Sequence, residues 1–250
     1  MGISESIFTA LEPILTDALE ENRYRRAVVS LSGESGSNNA EITAGLMLEL
    51  RKAGIDSFIL SEMDYFHRIP MYNDVERRNV FRTEGMRELL VRGIYTEALR
   101  DDLAKLKRTM TDADASLVKT HPWLVAYHKG GDGGLRSYLG TQREVDFQEL
   151  SDIIMRFKNG ADEVYLKRIG HDESSTWYEA KSCRAVKVLI IEGIYGNSDN
   201  LRGVDIPLML WGSSAAKPKN SFAERICALE HELLLSQAIN AKLVFGNPSH

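Results

Sequence analysis

Cysteine is scarce: two residues in 250, Cys183 and Cys227, with no CxxC pair and no Cys/His spacing of a zinc site. A disulfide framework is excluded, and both thiols are expected to be reduced and buried. Positive charge is not in excess either. Lys and Arg number 31 against 36 Asp and Glu, a formal net charge of -5, so no broad cationic surface exists for nucleic acid and none is expected as partner. No stretch reaches the roughly 18 apolar residues that cross a bilayer. The N-terminal MGISESIFTALEPILTDALEENRYRR has no basic leader ahead of an apolar run, so no membrane partner and a cytoplasmic location are expected. The six histidines, at 67, 121, 128, 171, 231 and 250, form no HExxH or close metal pair, and no GxSxG elbow is present. No metal ligands are assigned from the sequence.

What is present is an alternation of helical and strand-like segments in a chain long enough for one substantial core, with or without a small appended domain. Ile7, Leu11, Ile14, Leu15, Ala18 and Leu19 recur at helical spacing. The apolar run 27–31 enters a Gly/Ser turn, and 42–50 resumes helical periodicity up to Gly54. A short strand is predicted at 57–60, a helix at 145–157 closed by Asn159-Gly160, short strands at 163–167 and 176–180, and a late helix at 222–238. AVKVLIIEG (185–193) is the strongest buried-strand signal, followed by IPLMLW (206–211) and a last strand at 242–245. Nearly continuous apolar strands alternating with helices predict an α/β fold, doubly wound around a mainly parallel sheet. Residues 80–136, rich in charge and helical periodicity, read as a helical insertion or lid, with KGGDGG (129–134) as a flexible joint. The expected organisation is 1–79 as leading helix and first half of the core, 80–136 as the insertion, and 137–250 as the second half.

Residues 30–43, SLSGESGSNNAEIT, begin like a phosphate-binding loop and end unlike one. Such a loop needs Gly, four free positions, Gly, Lys and Ser/Thr: its amides cradle phosphate while the Lys and the hydroxyl deal with charge and Mg²⁺. Gly33 and the spacers Glu34 to Ser37 fit; Asn38, Asn39 and Ala40 stand where Gly, Lys and Ser/Thr belong. With VVSLSGESGS, the later DYF, YLGTQREVDFQELSDIIMRFKNG and VLIIEGIYG in that order, the chain resembles uridine kinases and related phosphoribulokinase-like P-loop kinases over somewhat more than half its length.

The resemblance implies a P-loop NTPase-like fold, ATP and Mg²⁺ as cofactors, and transfer of a phosphoryl group to a hydroxyl of a nucleoside or other small molecule. It implies nucleotide contacts from Gly33, Ser35, Gly36, Ser37, Asn38, Asn39 and Ala40, catalytic roles for Asp64 and Glu192, and substrate contacts from Tyr65, Phe66 and Tyr195. Alignment on Tyr65-Phe66 places Met63 at the base position, and a shift of one residue places Asp64 there. Against the family pattern, Asn39 has no charge, Ala40 offers Mg²⁺ no oxygen, and the arginine-rich lid is thinned to Lys217, Lys219 and Arg225. The reading is therefore a degraded kinase, with ATP and Mg²⁺ use weakened or lost, acting through a small-molecule ligand, or as a homodimer or with a protein partner through 80–136. The alternative is an active kinase in which Lys217, Lys219, Arg77 or Arg78 replaces the missing cation.

Overall fold

The computed structural model describes residues 2–34, 39–170, 175–212 and 218–246, with the side chains of Pro70 and Met71 excepted. Its elements are α1 (Ile3–Glu21), β1 (Ala27–Gly33), α2 (Asn39–Lys52), β2 (Ser57–Ser61), α3 (Pro70–Val91), α4 (Glu97–Arg108), α5 (Leu124–Arg136), α6 (Phe147–Lys158), β3 (Glu163–Ile169), β4 (Thr176–Ser182), β5 (Val188–Gly193), β6 (Ile206–Leu210), α7 (Ser221–Gln237) and β7 (Leu243–Phe245). They divide into two compact units. Unit 1 comprises the described residues of 1–69, 140–216 and 233–250; unit 2 those of 70–139 and 217–232.

In unit 1, five strands form one sheet in the order β2-β5-β1-β6-β7, and every neighbouring pair is parallel. Strand alternation sorts β1 between two cores. Ala27, Val29 and Leu31 pack with α1 and α2 through Ile7, Leu11, Leu46 and Leu50, while Val28 packs with α6 through Leu150, Ile154 and Phe157. With both faces covered, the strands become the apolar runs read in the sequence. β3 and β4 stand apart from this sheet: they pair with each other as an antiparallel hairpin.

Unit 2 is helical. The expected joint at 129–134 is instead the interior of α5, and the reason is close helix packing. A methyl group on Gly130 would come within 2.5 Å of the Glu88 β-carbon, one on Gly134 within 2.5 Å of Glu84, and one on Gly131 would overlap the Phe81 ring. These glycines let α3 approach α5; their freedom in the unfolded chain is the cost, not the purpose. A second expectation is corrected as well: Cys183 is buried, but Cys227 is exposed. No helix among the described residues is long and apolar enough to cross a membrane.

Candidate functional site

Parallel pairing puts the carboxyl ends of all five strands of the sheet on one edge, and β1 lies between β5 and β6, the point where successive connections leave to opposite sides. Open α/β sheets bind ligands at such a crevice. Gly33, Ser61, Glu192 and Gly193 meet there through the register, in which Ser32 faces Gly193, Ser61 faces Glu192 and Gly33 faces Leu210.

The loop after β1 is described at its two ends; Ser35, Gly36, Ser37 and Asn38 lie outside the described residues. Asn39 opens α2 and is buried at 6% exposure. Its carboxamide folds back over Gly33: a methyl group there would stand 2.6 Å from Asn39 Oδ1 and 2.8 Å from Nδ2. Only glycine permits this approach. Ala40 is exposed. Among the described residues Asn39 Oδ1, Ser32 Oγ and Thr43 Oγ1 are buried without a hydrogen-bond partner, and Asn39 and Thr43 share a helix face one turn apart. Buried polar atoms left so are uncommon in folded proteins. Of the described loop positions, 39 holds a neutral amide that covers Gly33 and 40 has no side-chain oxygen, so neither side chain supplies a cation or a Mg²⁺ ligand. Ser32, Asn39 and Thr43 do offer hydrogen bonds to an uncharged or weakly charged polar group.

Three acidic residues lie at the carboxyl ends of β2 and β5: Glu62 and Asp64 follow β2, and Glu192 is the penultimate residue of β5. Glu192, half-buried, accepts a hydrogen bond from Ser61 Oγ at 3.3 Å. Burial pushes its carboxyl above the usual range, the Ser61 bond opposes this, and the charge of Asp64 adds to it. Asp64 accepts from Arg168 Nη1 at 3.1 Å and from the Ile169 amide at 3.4 Å, so it ties the 62–65 turn to the β3–β4 hairpin. Met63, its rival for the base position, is 37% exposed. The third acid is Glu62. It is fully buried, accepts the Tyr195 amide at 2.9 Å, and occupies the space beside Gly193, where a methyl group would stand 2.5 Å from its β-carbon. Nothing local in EMDY separates Glu62 from Asp64; only the return of the 193–197 segment does.

The aromatic residues expected to touch substrate are all buried. Tyr65 and Tyr195 are fully enclosed and Phe66 is 2% exposed. Tyr65 Oη accepts the Lys167 amide at 3.0 Å and burial holds its phenol well above its ordinary pKa; Phe66 packs against Tyr195 with ring centres 6.3 Å apart. All three shape the wall behind the acids. Behind β1, Ser30 Oγ donates to Asn197 Oδ1 at 2.6 Å and Asn197 Nδ2 donates to the Leu208 carbonyl at 3.0 Å, which fixes the segment after β5 across the sheet.

Of the cations expected to substitute for the loop lysine, Lys217 lies outside the described residues and Lys219 is exposed. Arg77 pairs with Glu230 at 3.1 Å, both nearly enclosed within unit 2. Arg78 lies 4.1 Å from the centre of the Phe222 ring, and Arg225 grips Asp132 at 2.7 and 2.9 Å.

No family model matches the chain. Over 240 residues, 90% of its length, it is 28% identical to the bifunctional alpha-galactosidase/sucrose kinase AgaSK of Mediterraneibacter gnavus, and it spans 20% of that protein's length. The structure of a possible uridine kinase from Bacillus stearothermophilus superposes with a TM-score of 0.54 at 14% identity, covering 96% of this chain and all of that one. A mainly parallel sheet flanked by helices, with a loop and helix following its central strand, is thus the uridine-kinase-like P-loop fold.

Proposed function

We propose that this chain is a uridine-kinase-like protein with much reduced ATP-driven phosphotransfer, acting by binding a small molecule at the carboxyl ends of β1, β2 and β5. One observation carries the reading: the Asn39 side chain lies over Gly33, where the loop cation would be required. Phosphoryl transfer depends on positioning and charge stabilisation. Removing one preorganised donor already lowers rates about 10²–10³-fold, and here a full charge and a Mg²⁺ hydroxyl are both replaced. The unpartnered Ser32, Asn39 and Thr43 oxygens support retained binding of a polar ligand.

The test is a titration with Mg-ATP together with a turnover assay against nucleosides and sugars. The expected result is nucleotide binding that is weak and indifferent to Mg²⁺, with turnover far below the ordinary 1–10³ per second. Restoring Asn38→Gly, Asn39→Lys and Ala40→Ser together is expected to raise nucleotide hydrolysis. Ordinary turnover by the unaltered chain would overturn the reading.

Glu192 favours a second reading, an active small-molecule kinase. A half-buried carboxyl with a raised pKa beside Ser61 suits a general base for an acceptor hydroxyl, and the relative that spans most of the chain is named a sucrose kinase. Tight, Mg²⁺-dependent ATP binding, with activity lost in Glu192→Gln, is what this reading requires.

A further inference from the structure

Unit 1 contains a second opening, about 210 Å³, between the segment after Tyr65 and the start of the hairpin. Phe66, Ile69 and Ile169 supply apolar wall, and His67, Arg68, Lys167 and Thr176 the polar groups; among the described residues no carboxylate lines it. The walls are pinned. His67 N donates to the Glu144 carbonyl at 3.0 Å and its Nε2 to the Gln142 carbonyl at 2.9 Å. Asp146 N donates to the Tyr65 carbonyl at 2.8 Å, and Lys167 N to Tyr65 Oη at 3.0 Å.

The two adjacent cations of β3 are used differently. Arg168 is neutralised by Asp64 and Glu179, at 3.1 and 3.2 Å. Lys167, half-buried on the wall of the opening, forms no ion pair among the described residues. An ammonium partly withdrawn from water and left without a counter-charge gains most from an anion.

We propose that this opening binds the oxyanion, phosphate or carboxylate, of a small metabolite, with Lys167 as its charge partner and Thr176 and the fixed 66–69 segment as its walls. At about 30 Å³ per water, the space equals roughly seven waters. It takes an anionic group and a few further atoms, but is smaller than the roughly 300–1,000 Å³ of a site for a whole drug-sized ligand. The proposal rests on the reading of unit 1 as a small-molecule binder and adds the ligand's class. The two fail separately, since ordinary Mg-ATP turnover bears on the first and anion binding on the second.

The experiment is titration of the whole chain with inorganic phosphate and, separately, with acetate, followed by calorimetry and by amide chemical shifts. Expected is saturable binding of at least one anion on the order of 10 mM or tighter, weakened by NaCl, with shifts concentrated at 66–69 and 167–169. Lys167→Gln is expected to weaken it at least about tenfold, whereas Lys187→Gln, exposed at the far end of β5, leaves it unchanged. Phosphate alone binding would assign a phosphorylated ligand, acetate alone a carboxylate. Absence of saturation with both anions, shifts confined to residues 33–43, or unaltered affinity in Lys167→Gln would overturn the proposal. If Lys167→Gln does not fold, the location of the shifts in the unaltered chain decides.

Discussion

Glu62 and Gly193 belong to different segments but occupy one packing problem. The side chain of Glu62 fills the space that any residue larger than glycine at 193 would need, and its carboxylate holds the Tyr195 amide. Gly193→Ala is expected to destabilise the protein by about 1–3 kcal/mol through overpacking. Glu62→Ala is expected to cost a similar amount, about 1–3 kcal/mol, because a buried amide loses its acceptor. Combined, the two should cost clearly less than their sum, since the truncated side chain no longer meets the new methyl group. Urea unfolding of the four proteins measures the cycle; strict additivity would mean that Glu62 does not hold the 193–195 segment. Asn39 shows a related dependence, because its position over Gly33 makes that glycine as necessary for the amide as it is for a phosphate.

At the scale of elements, α3 and α5 provide a paired comparison. Gly131 faces the Phe81 ring and Gly133 faces open space, yet both sit inside α5. Gly131→Ala is expected to destabilise by about 1–3 kcal/mol through the forced separation of the helices. Gly133→Ala is expected to stabilise by about 0.5–1 kcal/mol, because alanine loses less backbone freedom on forming the helix. Shifts of the urea midpoint in opposite directions, at constant slope, would bear this out. The pair also shows what the sequence could disclose. Strands such as 188–193 were legible because burial on both faces writes itself into consecutive residues. The α5 glycines were not, because local composition reports flexibility whereas their use depends on α3, roughly forty to fifty residues earlier. The altered loop was legible for the same local reason: Asn38, Asn39 and Ala40 replace residues whose chemistry is fixed position by position. Glu62 and the Arg168 to Asp64 bridge were hidden, since each joins segments more than 100 residues apart.

For the whole molecule, the buried titratable groups give the two units opposite responses to acid. In unit 2, burial and the charge of Arg225 hold the pKa of His128 below its ordinary value, while its Nε2 donates to the Asp112 carbonyl at 2.9 Å. Burial alone would raise Asp112, but hydrogen bonds and charge from Arg82, with a further bond from Tyr127, outweigh it and bring its carboxyl below the usual range. Both groups therefore bind protons more readily in the unfolded chain. Their stability is present above the unfolded values, about 6.5 for His and 3.9 for Asp, and is lost as pH falls through the depressed folded values. Glu192 in unit 1 has the reverse sign. Its raised folded pKa means that burial disfavours the ionised form at neutral pH, and that penalty is relieved as pH falls through the raised value. Hydrogen-exchange protection, corrected for intrinsic rates, is thus expected to fall between pH 7 and pH 5 in α3 and α5 while the parallel sheet of unit 1 holds or gains. His128→Gln, which keeps a donor for the Asp112 carbonyl but does not titrate, should flatten the decline in unit 2 and leave unit 1 unchanged. Equal loss in both units, or an undiminished decline in His128→Gln, would show that these buried groups do not govern acid stability.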